Sequence, residues 1–148
     1  MSISFSKLLY DKANRTSVRS FRGISVREGC EILSAIGRDL KIPVTTDVHS
    51  PAEAEIAGEK IDMLQIPAFL CRQTDLLRAA AETGRAINVK KGQFLAPWDV
   101  RNIAEKLIAF GNSQILFHRA WHHVWLQQSR RRHALALLDA RSRISRDL

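Results

Sequence analysis

Residues 42–53 read Ile-Pro-Val-Thr-Thr-Asp-Val-His-Ser-Pro-Ala-Glu, in which a strand pattern runs directly into a helix start. The β-branched residues of 42–49 predict a strand. Ser50 is a suitable helix cap, Pro51 fits the first helical turn, and Glu53 is the acidic residue that a helix N-terminus favours. The stretch therefore predicts one strand-to-helix unit with polar residues at its junction.

The same unit recurs on both sides of this stretch. Ser25 and Glu28 form a capping box ahead of a helical pattern that extends to Leu40. Further strands are predicted at 61–69, 86–89 and 114–117, and further helices at 74–83 and 97–110. Alternating strands and helices imply a parallel sheet covered by helices. The pattern leaves open whether this sheet is doubly wound or part of a barrel.

Charged side chains gather where the predicted strands end. In both kinds of sheet, function is concentrated at the carboxyl ends of the strands. Five cations fall there, beside Asp47 and His49: Lys7, Lys12, Arg15, Arg72 and Lys90. A single charge at a strand end is usually a solvated loop residue, but five together favour a well for phosphate and carboxylate groups. The residues alone predict a protein that binds small phosphorylated substrates.

Length and composition limit the remaining classes of protein. With 148 residues, of which 45% are hydrophobic, the chain suffices for one globular domain. A complete (β/α)8 barrel needs roughly 200 residues or more. The sequence contains neither an apolar run of membrane-spanning length nor a secretory signal pattern. Cys30 and Cys71 form no metal-ligand pattern, so we expect buried thiols in a cytoplasmic protein.

The formal net charge of +8 is unevenly distributed along the chain. Residues 1–117 contain 16 basic and 13 acidic side chains, whereas the basic tail, residues 118–148, contains seven arginines and two aspartates. The tail also holds four of the five histidines and two of the three tryptophans. Because the excess charge lies in the tail, it gives no reason to expect a nucleic-acid partner for residues 1–117.

Four motifs at separate strand ends resemble one enzyme family. They are Asp11-Lys-Ala-Asn-Arg15, Thr46-Asp-Val-His49, Gln65-Ile-Pro-Ala-Phe-Leu-Cys-Arg-Gln-Thr-Asp75 and Asn88-Val-Lys-Lys-Gly-Gln-Phe94. Collinear from about Lys7 to Phe117, they resemble 3-deoxy-D-manno-octulosonate 8-phosphate synthase. The resemblance implies an α/β fold in residues 1–117: a partial TIM (β/α)8 barrel, roughly strands two to six, incomplete at both ends.

The resemblance also implies an activity. The family is a transferase of lipopolysaccharide biosynthesis that condenses phosphoenolpyruvate with D-arabinose 5-phosphate and releases phosphate. Its members are usually cytoplasmic homotetramers, and we expect neither nucleic acid nor a membrane as a partner. Some members use a divalent metal and others do not. The metal ligands lie outside the resemblance, so no cofactor is expected in this chain.

Each matched residue inherits a role from the resemblance. The catalytic residues are Lys12, Asp47, His49 and Lys90. The resemblance implies that Asp47 orients the sugar hydroxyls and that His49 lies near the attacking water. The substrate-binding residues are Lys7, Asn14, Arg15, Thr16, Gln65, Ala68, Arg72 and Lys90. Both substrates are anions, which accounts for the number of cations among these residues. Preorganised donors stabilise an anion without rearranging during the reaction.

Parts of the family pattern are missing from the resemblance. The first barrel strand and the region after about the sixth strand have no match, including an arginine, a histidine and the later acids of the metal site. We therefore expect two exposed strand edges. Two functions are considered: a synthase, and a catalytically inactive fragment that binds small phosphorylated ligands weakly.

The basic tail has an unusual relation to the family. Residues 118–133 read His-Arg-Ala-Trp-His-His-Val-Trp-Leu-Gln-Gln-Ser-Arg-Arg-Arg-His. Codons can be chosen so that the frame one base later reads Thr-Glu-Arg-Gly-Thr-Thr-Phe-Gly-Tyr-Asn-Asn-Leu-Val-Val-Asp-Met, the usual family wording. We interpret residues 118–148 as out-of-frame translation and not as a native domain. In the alternatives, the tail binds RNA or a membrane, or His118 and His122 hold a metal.

Resequencing of fresh genomic DNA across the codons for Phe117 and His118 tests this interpretation. We expect the neighbouring frame to encode the family wording without interruption. If the fresh DNA has one base fewer at this point, the chain continues into the family pattern. If the base is confirmed, the shifted tail is made. A gene in which no neighbouring frame carries that wording would contradict the interpretation. The RNA alternative would then predict a salt-dependent affinity that is lost with the tail.

Overall fold

The computed structural model describes residues 6–7, 9–119 and 136–139. Its strands are β1 (Ser6–Lys7), β2 (Val44–Asp47), β3 (Met63–Ile66), β4 (Ala86–Lys91), β5 (Gln114–Arg119) and β6 (Ala136–Asp139). Its α-helices are α1 (Val26–Leu40), α2 (Pro51–Gly58), α3 (Thr74–Glu82) and α4 (Val100–Ala109), with 3-10 turns at Ala68–Leu70 and Pro97–Asp99. The alternation of strands and helices predicted between residues 25 and 117 is confirmed.

The strands lie side by side in chain order from β1 to β6. Neighbours from β1 to β5 are parallel, and β6 pairs with β5 in the antiparallel direction. A doubly wound sheet reverses its strand order and carries helices on both faces. The order here never reverses, and right-handed connections then place every crossover helix on the same face. The fold is therefore that of a partial (β/α) barrel, as the resemblance implied.

The two faces of the sheet differ in chemistry because successive side chains of a strand point to opposite sides. The face toward the helices is apolar, and its side chains form one core with the buried side chains of α1 to α4. From the strands this core takes Val44, Leu64, Ile66, Ile87, Val89 and Ile115. From the helices it takes Leu33, Ala54, Leu77 and Leu107, among others. The opposite face carries the polar strand residues Thr45, Asp47, Gln65 and Asn88, together with the buried side chains of Met63 and Leu116.

Two helix starts follow the predicted capping chemistry. Ser25 Oγ accepts a hydrogen bond from the Glu28 amide, and Ser50 Oγ accepts one from the Glu53 amide, both at 3.3 Å. Gly84 follows α3 with a φ of +68°, a conformation that glycine adopts without strain. The Ser50 cap fixes the start of α2 and therefore the end of the segment that follows β2.

Of the helices described, the longest has 15 residues, and none has both the length and the apolar character needed to cross a bilayer.

The outer edge of β5 differs from the expectation of an exposed edge. β6 covers it, with Phe117 opposite Ala136 and Gln114 opposite Asp139. The parallel pairing of β4 with β5 also continues two residues beyond the boundary placed at Phe117, to Arg119. The rest of the tail, including His122 and the arginine run 130–132, lies outside the described residues.

Leu77 offers a test of this core, because its side chain is fully buried in α3 between the helices and the sheet. We expect Leu77→Ala to lower the free energy of unfolding by about 2–5 kcal/mol, through lost burial and the cavity that remains. Urea denaturation followed by circular dichroism measures the change. Leu40→Ala is the matched control, since Leu40 is 62% exposed; we expect a change within about 0.5 kcal/mol. Equal effects of the two substitutions would contradict the packing described here.

Candidate active site

A row of three buried polar side chains crosses the inner face of the sheet. Asp47, Gln65 and Asn88 lie opposite one another on β2, β3 and β4, and they are 8%, 4% and 6% exposed. Asn88 Nδ2 donates to Gln65 Oε1 at 2.9 Å, and Gln65 Nε2 donates to Asp47 Oδ1. This chain of bonds fixes the Gln65 amide, because its oxygen must face Asn88 and its nitrogen must face Asp47.

Two lysines flank the carboxylate at the end of this row. Lys7 Nζ lies 3.1 Å from Asp47 Oδ1, and Lys90 Nζ lies 3.8 Å from Asp47 Oδ2. Burial lowers the pKa of Lys90, and the neighbouring Lys7 lowers it further, while Asp47 opposes both effects. Two ammonium groups share one carboxylate, so the cluster keeps a surplus positive charge. Such a cluster attracts a small anion.

A second cluster lies where β2 gives way to α2. Glu53 Oε2 accepts from the Tyr10 hydroxyl at 2.5 Å, from the His49 amide at 2.9 Å and from His49 Nδ1 at 3.0 Å. The rings of Tyr10 and His49 pack edge to face, with their centroids 6.1 Å apart and their planes at 73°. Burial and the Glu53 carboxylate raise the pKa of Tyr10, so its phenol stays protonated and donates.

The loop between β1 and α1 carries four predicted site residues on its surface: Lys12, Asn14, Arg15 and Thr16. The loop is anchored at its base, where the Lys12 amide donates to Arg22 O at 2.7 Å and the Ile24 amide donates to Tyr10 O at 2.9 Å. An ion pair joins Arg22 to Asp11, and its hydrogen bond lowers the pKa of the Asp11 carboxyl. In the described structure the four loop side chains make no hydrogen bond to Asp47, and their roles stay predictions.

The remaining predicted residues follow β3. Ala68 begins the 3-10 turn that leaves this strand, and Arg72 is exposed just beyond it. Lys106 of α4 holds this segment by donating to Thr74 Oγ1 at 2.7 Å and to Arg72 O at 3.4 Å. The structure thus brings Lys7, Asp47, Gln65 and Lys90 together directly. It places Ala68 and Arg72 beyond the end of the neighbouring strand without a bond to Asp47.

The sequence prediction omitted Asn88, Glu53 and Tyr10. Asn88 had a usable signal, because it stands two residues before Lys90 in a predicted strand and so shares its face. Two buried atoms on this face have no hydrogen-bond partner within the described residues, Asn88 Oδ1 and Thr45 Oγ1. Since buried polar atoms are nearly always paired, both are positioned to bond a ligand or a water molecule.

A metal does not fit this part of the chain. Across residues 6–7, 9–119 and 136–139, no group of three or more histidine, cysteine, aspartate or glutamate side chains could hold an ion. Cys30 and Cys71 are free and buried, as expected, and burial raises the pKa of the Cys30 thiol to about 11. These thiols pack as small apolar groups.

Comparisons with known proteins agree with the motifs. The family model described as DAHP synthetase I family matches residues 3–124. Three curated relatives carry the name 2-dehydro-3-deoxyphosphooctonate aldolase. The chain is 59% identical over 110 residues to the protein of Granulibacter bethesdensis, 54% over 118 to that of Rickettsia typhi, and 57% over 110 to that of Geobacter sp. (strain M21). The alignments cover 74%, 79% and 74% of this chain and 39%, 43% and 40% of those proteins. The chain therefore spans about two fifths of the length of these relatives.

The charge cluster around Asp47 makes a prediction about Lys90. Its amine is expected to titrate below the lysines of the urea-unfolded chain, because burial and Lys7 lower its pKa. Reductive methylation with ¹³C-formaldehyde followed by NMR titration measures this value. Lys7→Met removes a repelling cation and should raise the Lys90 pKa, whereas Asp47→Asn removes an attracting anion and should lower it further. Shifts of the same sign in both variants would contradict the described cluster.

Proposed function

The chain belongs to the DAHP synthetase I family. On this premise we propose that it carries the substrate-binding rim of a 3-deoxy-D-manno-octulosonate 8-phosphate synthase, that is, the carboxyl ends of β1 to β4 and the loops that follow them. The curated relatives bear the equivalent name 2-dehydro-3-deoxyphosphooctonate aldolase. The proposed reaction joins phosphoenolpyruvate to D-arabinose 5-phosphate, consumes one water and releases inorganic phosphate. Assembly into a homotetramer stays a prediction.

The observation that supports this function best is the placement of Lys7 and Lys90 on either side of the Asp47 carboxylate, 3.1 and 3.8 Å from its oxygens. Phosphoenolpyruvate presents a phosphate and a carboxylate, which together demand more than one cation. In the proposed complex, the ammonium groups of Lys7 and Lys90 donate hydrogen bonds to the substrate as well as to Asp47. A bound anion also opposes the lowering of the Lys90 pKa and keeps that amine charged.

The polar row gives the site its geometry. Gln65 donates a hydrogen bond to the Asp47 carboxylate, and Asn88 in turn donates one to Gln65. In the proposal, Asp47 accepts hydrogen bonds from hydroxyl groups of the sugar, which needs an ionised carboxylate that cannot rotate freely. Preorganised groups of this kind favour the transition state because they do not have to rearrange when charge develops. His49 lies two residues after Asp47 in the chain, and in the proposal it acts on the water that the reaction consumes.

The loop from Lys12 to Thr16 is proposed to bind arabinose 5-phosphate. Its exposed Arg15 and Asn14 supply a cation and an amide, the two donor types suited to a sugar phosphate. The anchoring of this loop by Asp11 and Arg22 holds its base beside Tyr10. The base of the loop is therefore fixed near the carboxyl end of β1, and its donor side chains extend from there.

A coupled assay of phosphate release from both substrates tests the proposal. We expect turnover that Lys90→Ala lowers by about 100-fold or more, because it removes a preorganised cation. Lys60→Ala is the control, since Lys60 lies exposed in the turn after α2 and pairs with the exposed Glu31 of α1, and turnover should not change.

Calorimetric titration with phosphoenolpyruvate separates the two functions considered. Binding that Lys7→Ala and Lys90→Ala each weaken, without phosphate release in the assay, would identify the inactive ligand-binding fragment. That outcome is the second candidate, a chain that binds small phosphorylated ligands weakly without turnover. Neither turnover nor binding in the folded chain would overturn the proposed function.

A further inference from the structure

One oxygen of Glu53 collects three hydrogen bonds at the edge of the site. Its Oε2 lies 2.5 Å from the Tyr10 hydroxyl, 2.9 Å from the His49 amide nitrogen and 3.0 Å from His49 Nδ1. A carboxylate oxygen only accepts, so all three contacts require donors on the other side. Glu53 was predicted only as the acidic residue of a helix start, and that role uses none of these contacts.

Glu53 is held in this place as an anion. It stands in the first turn of α2, where the helix N-terminus favours negative charge. Its own amide donates to Ser50 Oγ at 3.3 Å, which fixes the turn that carries it. Its side chain is only 26% exposed. Each of its three partners donates toward the same oxygen, and together they compensate for the burial of the charge.

Tyr10 closes the cluster from the other side. Tyr10 is 4% exposed, and its side chain lies against α1 at Gly29. A Cβ atom at position 29 would overlap the Tyr10 Cβ, so Gly29 is what allows α1 to approach this closely. Tyr10 therefore has little freedom to move, and its hydroxyl keeps Glu53 directed toward His49.

The consequence falls on the imidazole of His49. When this ring is neutral, one nitrogen carries the proton and the other is an acceptor, and the hydrogen bond made by one nitrogen decides the state of the other. Nδ1 faces a carboxylate, so it must carry the proton. Nε2 is then the unprotonated acceptor. The ring cannot exchange the two roles without losing its bond to Glu53.

We propose that Glu53 is a positioning residue that holds His49 as the Nδ1–H tautomer and so makes Nε2 a proton acceptor at the rim. The tautomer itself follows from the contacts in this chain. Only the identity of the group that Nε2 acts on, a water or a hydroxyl of a bound substrate, rests on the proposed function. Glu53 touches no reacting atom and acts entirely through His49.

The ring nitrogens of His49 report this state directly. The full 148-residue chain is labelled with ¹⁵N, and long-range ¹H–¹⁵N spectra are recorded at about pH 8.5, where imidazoles are uncharged. The His49→Asn variant identifies the His49 signals among those of the five histidines. We expect a protonated-type shift for Nδ1 and an acceptor-type shift for Nε2. A His49 ring with its proton on Nε2 in the unaltered chain would overturn the proposal.

A pair of variants on one helix tests the cause. Glu53→Met keeps the length of the side chain but cannot accept a hydrogen bond, and we expect loss of the single Nδ1–H state with both nitrogen shifts moving toward averaged values. Glu55→Met is the matched control, because Glu55 is exposed on α2 and should leave the His49 shifts in place. Unchanged shifts in Glu53→Met would overturn the proposal.

The tautomer measurement remains decisive even if Glu53→Met does not fold, because the spectrum of the unaltered chain tests the contact by itself. No substrate is present in these experiments. A failure of the tautomer assignment is therefore distinguishable from a failure of the synthase proposal, which the phosphate-release and titration experiments address separately.

Discussion

The ionised carboxylate of Asp47 is the group on which the described arrangement of strands depends. It is 8% exposed, and an ion taken out of water costs several kcal/mol unless charges and donors surround it. Its partners come from three other strands: Lys7 on β1, Gln65 on β3 and Lys90 on β4. A slip of one residue in any of them would turn its partner to the helix side of the sheet. Strand register and compensation of the Asp47 charge therefore specify each other.

The two faces of the sheet have different roles: one forms the core and the other carries the candidate site. The helix side holds the apolar core, with Leu64, Ile87 and Ile115 fully or almost fully buried. The inner side holds the charges and amides, and there burial, with a further contribution from Lys7, lowers the pKa of Lys90. Because the faces alternate residue by residue, the same short strands supply both, and the polar side does not interrupt the core.

The sequence was sufficient for the alternating strands and helices between residues 25 and 117 and for part of the cluster around Asp47. Periodicity and capping located the helices, and the residues at strand ends included Lys7, Asp47 and Lys90. Periodicity alone left open the choice between a barrel and a doubly wound sheet, because strand order is a property of distant segments. The resemblance of the four motifs to one family predicted the barrel. The same reason hid Glu53, whose bond to Tyr10 spans 43 positions. The pairing of β6 with β5 was not predicted, since the tail was interpreted as foreign to the fold.

That pairing has a consequence for any completion of the barrel. The next parallel strand of a (β/α) barrel would add to the row of backbone amides and carbonyls on the outer edge of β5. Four residue pairs of β6 occupy that row. A complementing polypeptide that carries the following strands must therefore displace β6 before it can dock. Association would then be a strand-exchange reaction whose rate is limited by the opening of the β5–β6 ladder and saturates at high concentration of the partner.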